Sequence, residues 1–155
     1  MKDQSAIQSF LACRRIALVG ASRDPKDFSR ALMRAFLQRG YDVVPVNPAA
    51  NRAEMEGRRC LRSVVDATPP VEAALLLTPP AHTAAAVMEC VAAGVRRIWM
   101  HKGAGAGAAS PDALALCARA GLEVVTGECP FMYLPDAGLP HRIHGFLHRL
   151  LRRAA

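Results

Sequence analysis

Short apolar runs closed by glycine or proline alternate along this chain with helical patterns, and that alternation leaves few folds open. Ile16-Ala17-Leu18-Val19 ends at Gly20. A helical stretch with Leu32, Ala35 and Phe36 on one face follows and stops at Gly40. The next run, 41–46, ends at Asn47-Pro48, and a less regular stretch covers 49–70. Ala73-Ala74-Leu75-Leu76-Leu77 is closed by Thr78-Pro79-Pro80. A second helical pattern carries Ala84, Val87, Met88 and Val91 and stops at Gly94. Ile98-Trp99-Met100 is the next run, Ser110-Pro111-Asp112 opens a third helix ending at Gly121, and 122–126 is the last run. Thr78 and Ser110 are expected to cap free helix N–H groups, and Gly40, Gly94 and Gly121 to end helices in the left-handed conformation. Runs that are apolar on both faces and separated by helices describe a parallel sheet covered on both sides. The expected fold is α/β, a doubly wound sheet of about five parallel strands.

Length and composition agree with one such unit. The chain has 155 residues, 52% hydrophobic and 21% charged, which is globular composition and room for one sizeable core. The longest uncharged stretch, 73–88, contains Pro79 and Pro80 and falls short of the ~20 residues a membrane-spanning helix needs. The first residues, Met1-Lys2-Asp3-Gln4-Ser5, do not read as a signal peptide, so a cytoplasmic location is expected. Five cysteines (Cys13, Cys60, Cys90, Cys117, Cys129) sit at wide spacings with no CxxC. They read as reduced, mostly buried thiols and not as a disulfide or zinc framework.

The net charge of +7 is uneven. The last fifteen residues hold four of the twenty Lys and Arg and none of the thirteen acids, which leaves +3 for residues 1–140. Residues 136–155 read as a basic amphipathic helix packed on the domain or on a partner, with Ile143, Phe146, Leu147, Leu150 and Leu151 on its apolar face. His141, His144 and His148 share one face of that helix at metal-ligand spacing, but no acid follows Asp136 to orient them, and no metal is expected. Eight aromatics, none interleaved with a basic run, point away from nucleic acid.

In open parallel sheets, ligands bind beyond the carboxyl ends of the strands. That rule selects the loops beginning at Gly20, Asn47, Thr78, His101 and Gly127. The first is the best anion site: Gly20 lets backbone approach a phosphate, Ser22 and Ser29 can donate hydrogen bonds, and Arg23, Lys26 and Arg30 supply positive charge near a helix N-terminus. Neither the GxGxxG fingerprint nor the Walker lysine pattern is present. Val46-Asn47-Pro48 puts no acid at the end of the second run, where an NAD site needs one. That suits a nucleotide whose ribose carries a phosphate. Lys102 reads as a pocket cation, while His101 is balanced between packing and ligand contact and His82 is expected to be exposed. The run from Gly103 to Ala109 reads as a mobile linker into the next helix, with a ligand-closing flap as the alternative. Cys129 beside Glu128 reads as a structural thiol, with a mixed disulfide to a ligand thiol as the alternative.

Four pieces in order, Val19-Gly20-Ala21-Ser22, 40–48, Trp99-Met100-His101-Lys102-Gly103 and Glu128-Cys129-Pro130, resemble the small stand-alone CoA-binding proteins, a family similar to the N-terminal CoA-binding domain of the succinyl-CoA synthetase α subunit. The resemblance covers roughly residues 10–135 and implies a Rossmann-like domain over 1–135. It also implies CoA or acyl-CoA as the ligand: Gly20, Ala21 and Ser22 cradling its phosphates, Asn47 and Pro48 on the adenosine side, Thr78 and Pro79 along the pantetheine or pyrophosphate path, Lys102 and Gly103 closing the far side. No counterpart of the synthetase's catalytic histidine loop or grasp domain is found, so the resemblance implies binding without catalysis. An NADP-linked oxidoreductase, or an interaction module working through the basic C-terminal helix, stays open beside it. Small doubly wound domains pair through helices, so a homodimer stays open as well.

Overall fold

A computed structural model describes residues 2–135. The expected basic helix at 136–155, with His141, His144 and His148, lies outside the described residues. The chain runs through α1 (Lys2–Leu11), β1 (Arg15–Val19), α2 (Phe28–Gln38), β2 (Asp42–Val46), the short strands β3 (Glu54–Met55) and β4 (Arg58–Arg59), β5 (Ala73–Leu76), α3 (Pro80–Ala92), β6 (Arg97–His101), α4 (Pro111–Ala120) and β7 (Glu123–Glu128). Five strands form one sheet in the order β2-β1-β5-β6-β7, each neighbouring pair parallel. The doubly wound α/β sheet expected from the punctuation, and the Rossmann-like architecture the resemblance implies, are therefore present. The chain builds outward from β1 to β2 and then returns to lay β5 on the other side of β1, so the order reverses between β1 and β5.

Strand residues alternate between two apolar layers because successive side chains point to opposite faces. Ile16, Leu18, Val43, Ala73, Leu75, Trp99 and Val125 face α1 and α2, where they meet Phe10, Leu32, Met33 and Phe36. Ala17, Val19, Val44, Val46, Ala74, Leu76, Ile98 and Met100 face α3 and α4, where they meet Val87, Cys90 and Cys117. At the helix ends, Ser110 accepts a hydrogen bond from the N–H of Ala113 at 3.2 Å, as expected of an N-cap. Thr78 does not cap: Pro79 is the N-cap of α3, and the Thr78 hydroxyl pairs with that of Thr83 at 2.7 Å. The Pro79-Pro80 pair starts the helix one residue later than a threonine cap would.

Two elements go beyond the sequence reading. The first is α1, whose Ile7 and Phe10 are buried; Phe10 meets Trp99 edge-on with ring centroids 5.4 Å apart. Its propensity is unremarkable, and docking on the sheet is what makes it a helix. The second is a hairpin inside 49–70. Met55 pairs with Arg58 across Glu56 and Gly57, both at positive φ (49° and 73°), the pair of conformations a tight two-residue hairpin turn requires.

Phe10→Ala removes a fully buried ring from the α1–sheet contact. It should cost about 3–5 kcal/mol in urea unfolding. A variant as stable as the parent would mean that α1 does not dock on the sheet in solution.

Candidate functional site

The carboxyl end of β1 passes between its two neighbours. The N–H of Gly20 bonds to the Val46 carbonyl at 2.9 Å, and the N–H of Leu77 to the Val19 carbonyl at 2.8 Å. Gly20 has φ +94°, and a Cβ there would stand 3.1 Å from the backbone C and O of Leu77. Only glycine fits both the angle and the space. The chain thus leaves β1 at the reversal of strand order, in contact with the loop that carries Thr78 and Pro79.

The loop that follows is held from behind. The Ser22 N–H donates to Ser29 Oγ at 2.9 Å, Ser22 Oγ accepts from the Asp24 N–H at 3.1 Å, and Asp27 caps α2 by accepting from the Ser29 N–H at 2.8 Å. Asn47 Nδ2 donates to the Ala21 carbonyl at 2.8 Å, while its Oδ1 accepts from the Ala49 N–H. Arg30 is buried; its Nη1 lies 3.3 Å from the carbonyls of both Ser22 and Arg23, and its Nε and Nη2 donate to Glu56 Oε1 at 3.1 and 2.9 Å. Arg34 adds a third bond to the same oxygen at 2.8 Å. The hairpin turn is thereby tied to α2 and, through Arg30, to the loop. Partial burial pushes the Glu56 carboxyl up, but the hydrogen bonds from Arg34 and Arg30 outweigh it and hold the group below its ordinary range.

The residues singled out from the sequence therefore fall into three sets. Gly20, Ala21, Ser22, Thr78 and Pro79 come together at the strand-order reversal. Ser29, Arg30 and Asn47 stand behind the loop and shape it, and Pro48 opens the turn that Asn47 caps. Arg23, Lys26, Lys102 and Gly103 are exposed at the rim. Among the described residues, the side chains of Arg23 and Lys26 make no ion pair or hydrogen bond, and the N–H groups of Ala21 and Arg23 have no hydrogen-bond partner. Glu56 and Arg34 belong to this assembly as well, although no spacing in the sequence links them to residues 20–23.

Beside the loop lies a cleft of about 320 Å³ lined by Leu77, Thr78, Pro79, His101, Ala106, Gly107 and Ala108. The glycine-alanine run is thus not a mere linker. It turns back on the end of β6, where the N–H of Ala108 bonds to the His101 carbonyl at 2.9 Å. Gly107 has φ +77°, and a Cβ there would lie 3.0 Å from that same carbonyl oxygen. Phe28 closes the neighbouring side, its ring 4.9 Å from His101 and 5.5 Å from Phe131. Burial pushes the His101 imidazole below its ordinary pKa. Cys129 is buried. Burial raises its thiol and Glu128 adds to the rise, against the opposing N–H of Phe131, which fits a structural thiol. His82 is exposed, as expected. No group of three metal-ligating side chains occurs among the described residues, and none of the described helices is long and apolar enough to cross a membrane. Taken as chemistry, the site combines backbone donors and free cations for an anion with a cleft of mixed polar and apolar lining beside them.

Residues 14–135 match the family model described as a CoA binding domain. A hypothetical protein from Pyrococcus horikoshii OT3 superposes with a TM-score of 0.74 at 30% identity, covering 83% of this chain and 87% of that one. A conserved hypothetical protein from Pyrococcus furiosus does so with a TM-score of 0.67 at 33% identity, over 76% and 96% of the two chains. The dinucleotide-forming acetyl-coenzyme A synthetase 1 of Ca. Korarchaeum cryptofilum matches with a TM-score of 0.61 at 26% identity, over 72% of this chain and 25% of that one.

The Glu56 brace gives a signed pH dependence. A carboxyl held low in the folded chain contributes stability that is full above its unfolded value, near 4.5, and lost as pH falls through the lower folded value. The stability gap between the parent and Glu56→Gln should therefore be constant near neutrality and close below that point. A gap independent of pH in thermal unfolding from pH 7 to 3 would mean that the ionised carboxylate does not hold the hairpin.

Proposed function

The chain belongs to the CoA-binding domain family, and from that premise we propose that it binds coenzyme A or an acyl-CoA across the carboxyl ends of β1 and β5. In this reading the phosphates of the nucleotide end lie against the loop 20–23. The N–H groups of Ala21 and Arg23 and the side chains of Ser22, Arg23 and Lys26 are their partners, as oriented amides and a helix N-terminus suit an anion. Asn47 and Pro48 border the adenosine side, and Asn47 acts on the ligand chiefly through the loop it holds. The pantetheine arm then follows Thr78 and Pro79 into the slot beside His101, with Lys102 and Gly103 at its far rim. The observation that carries the reading is the pairing of partnerless loop amides with two unengaged cations at the point where strand order reverses. The end of β2 supports it too: Val46-Asn47-Pro48 offers no carboxylate to repel a ribose phosphate.

We propose binding without turnover. The Cys129 thiol, directly after β7, is raised by burial and not activated, and reactive thiols need the opposite shift. This chain also corresponds to only a quarter of the acetyl-CoA synthetase it resembles, so that enzyme's activity is not carried over. Five free, buried cysteines suit a reducing compartment, and a cytoplasmic location is proposed on that basis.

Calorimetric and thermal-shift titrations with CoA, acetyl-CoA, NADP and NAD test the reading. CoA or its acetyl ester should stabilise the fold selectively, and a ligand at one hundred times its dissociation constant adds about 2.7 kcal/mol. The double variant Arg23→Glu, Lys26→Glu should weaken CoA at least about tenfold, roughly 1.4 kcal/mol, and flatten the salt dependence of binding. A response to NADP with none to CoA would replace this reading with a reductase.

A further inference from the structure

Among the described residues His101 makes no hydrogen bond to the loop 20–23, yet it lines the slot. Its Nε2 is shut off from solvent and has no hydrogen-bond partner among the described residues. Gly103 covers it: a Cβ there would stand 3.3 Å from Cε1 and 3.5 Å from Nε2. Phe28 lies against the ring with centroids 4.9 Å apart, and the same imidazole lines the slot with Thr78, Pro79 and Gly107. A buried polar atom without a partner costs free energy that either exposure or a bonded partner would recover. Native folds retain few such atoms, and one beside a ligand slot calls for an explanation. The cover over it is light. Residues 103–106 are exposed and built only from glycine and alanine, and among the described residues the turn is fastened to β6 by one hydrogen bond, from Ala108 to the His101 carbonyl.

We infer that His101 is a ligand-binding residue: the turn 103–107 shifts off the ring, and Nε2 forms a hydrogen bond with the amide-and-thiol end of the ligand's arm. The inference rests on the CoA reading and deepens it by assigning the residue that recognises the sulfur-bearing end. Burial keeps the imidazole neutral near pH 7, so Nε2 can accept or donate according to tautomer. A glycine at 103 is what allows the turn to lie close over the ring, since any side chain there would press on it. Replacing the imidazole with an apolar side chain of similar size should therefore cost ligand affinity but not the stability of the empty fold.

The test uses the whole chain and two probes, CoA and adenosine 3′,5′-bisphosphate, which has the nucleotide end without the arm. His101→Ala should weaken CoA by about tenfold (~1.4 kcal/mol) and leave the bisphosphate within about twofold. His101→Gln, which keeps an amide at similar reach, should recover most of the loss. His101→Leu, without ligand, should melt at or above the parent temperature, because it removes the partnerless nitrogen. An unchanged CoA affinity in His101→Ala, or an equal loss for both probes, overturns the inference while leaving CoA binding in place. A parent chain that binds neither probe removes the CoA reading itself.

Discussion

The contact on which the site depends is the passage of Gly20 beneath the end of β5. The backbone of β1 is gripped there by hydrogen bonds to β2 and from the residue following β5, and it turns away at φ +94°, where a Cβ would stand 3.1 Å from the Leu77 carbonyl group. A side chain at this position would push the two strand ends apart. The reversal of strand order would then lose the close approach that brings the loop after β1 and Thr78-Pro79 into one surface. Two independent loops become one site because a single residue has no Cβ.

Polar groups behind that surface set its shape. Arg30 is the clearest case. A buried guanidinium is costly unless it is paired and fully bonded, and here one Glu56 oxygen and two loop carbonyls meet that requirement. Asn47 does the same from β2, and Ser29 from the first turn of α2. Basic residues near the loop thus divide by burial: the buried one fixes the backbone, and the exposed Arg23 and Lys26 keep their charges free. Such pre-ordering would lower the entropic cost of binding an anion, since the loop need not be organised by its ligand.

Much of this was legible in the sequence. The apolar runs ending at Gly20, Asn47-Pro48 and Thr78-Pro79 gave strands and loops in the right order, and Ser110 and Gly121 marked both ends of α4. The misses come from contacts that the spacing of residue types does not announce. Ile7 and Phe10 make a weak pattern until the sheet receives them. Glu56-Gly57 became a hairpin turn inside a stretch that alternates poorly. Clustering of Arg23, Lys26 and Arg30 in sequence was visible, but the partner that separates Arg30 from the others stands 26 residues away. The glycine-alanine run read as a linker because composition reports flexibility, whereas its role comes from Gly107 and Ala108 folding back on His101.

In the CoA reading, the loop after β1 and the slot beside His101 form one continuous ligand surface. Amide chemical-shift mapping of the isotope-labelled chain during a CoA titration tests it most directly. The account expects the largest shifts at residues 20–23, at Leu77 and Thr78, and along 101–108, all saturating together. Shifts confined to the opposite end of the sheet, around Arg15, Asp42 and Arg58, or the absence of any shift at a saturating dose, would contradict it.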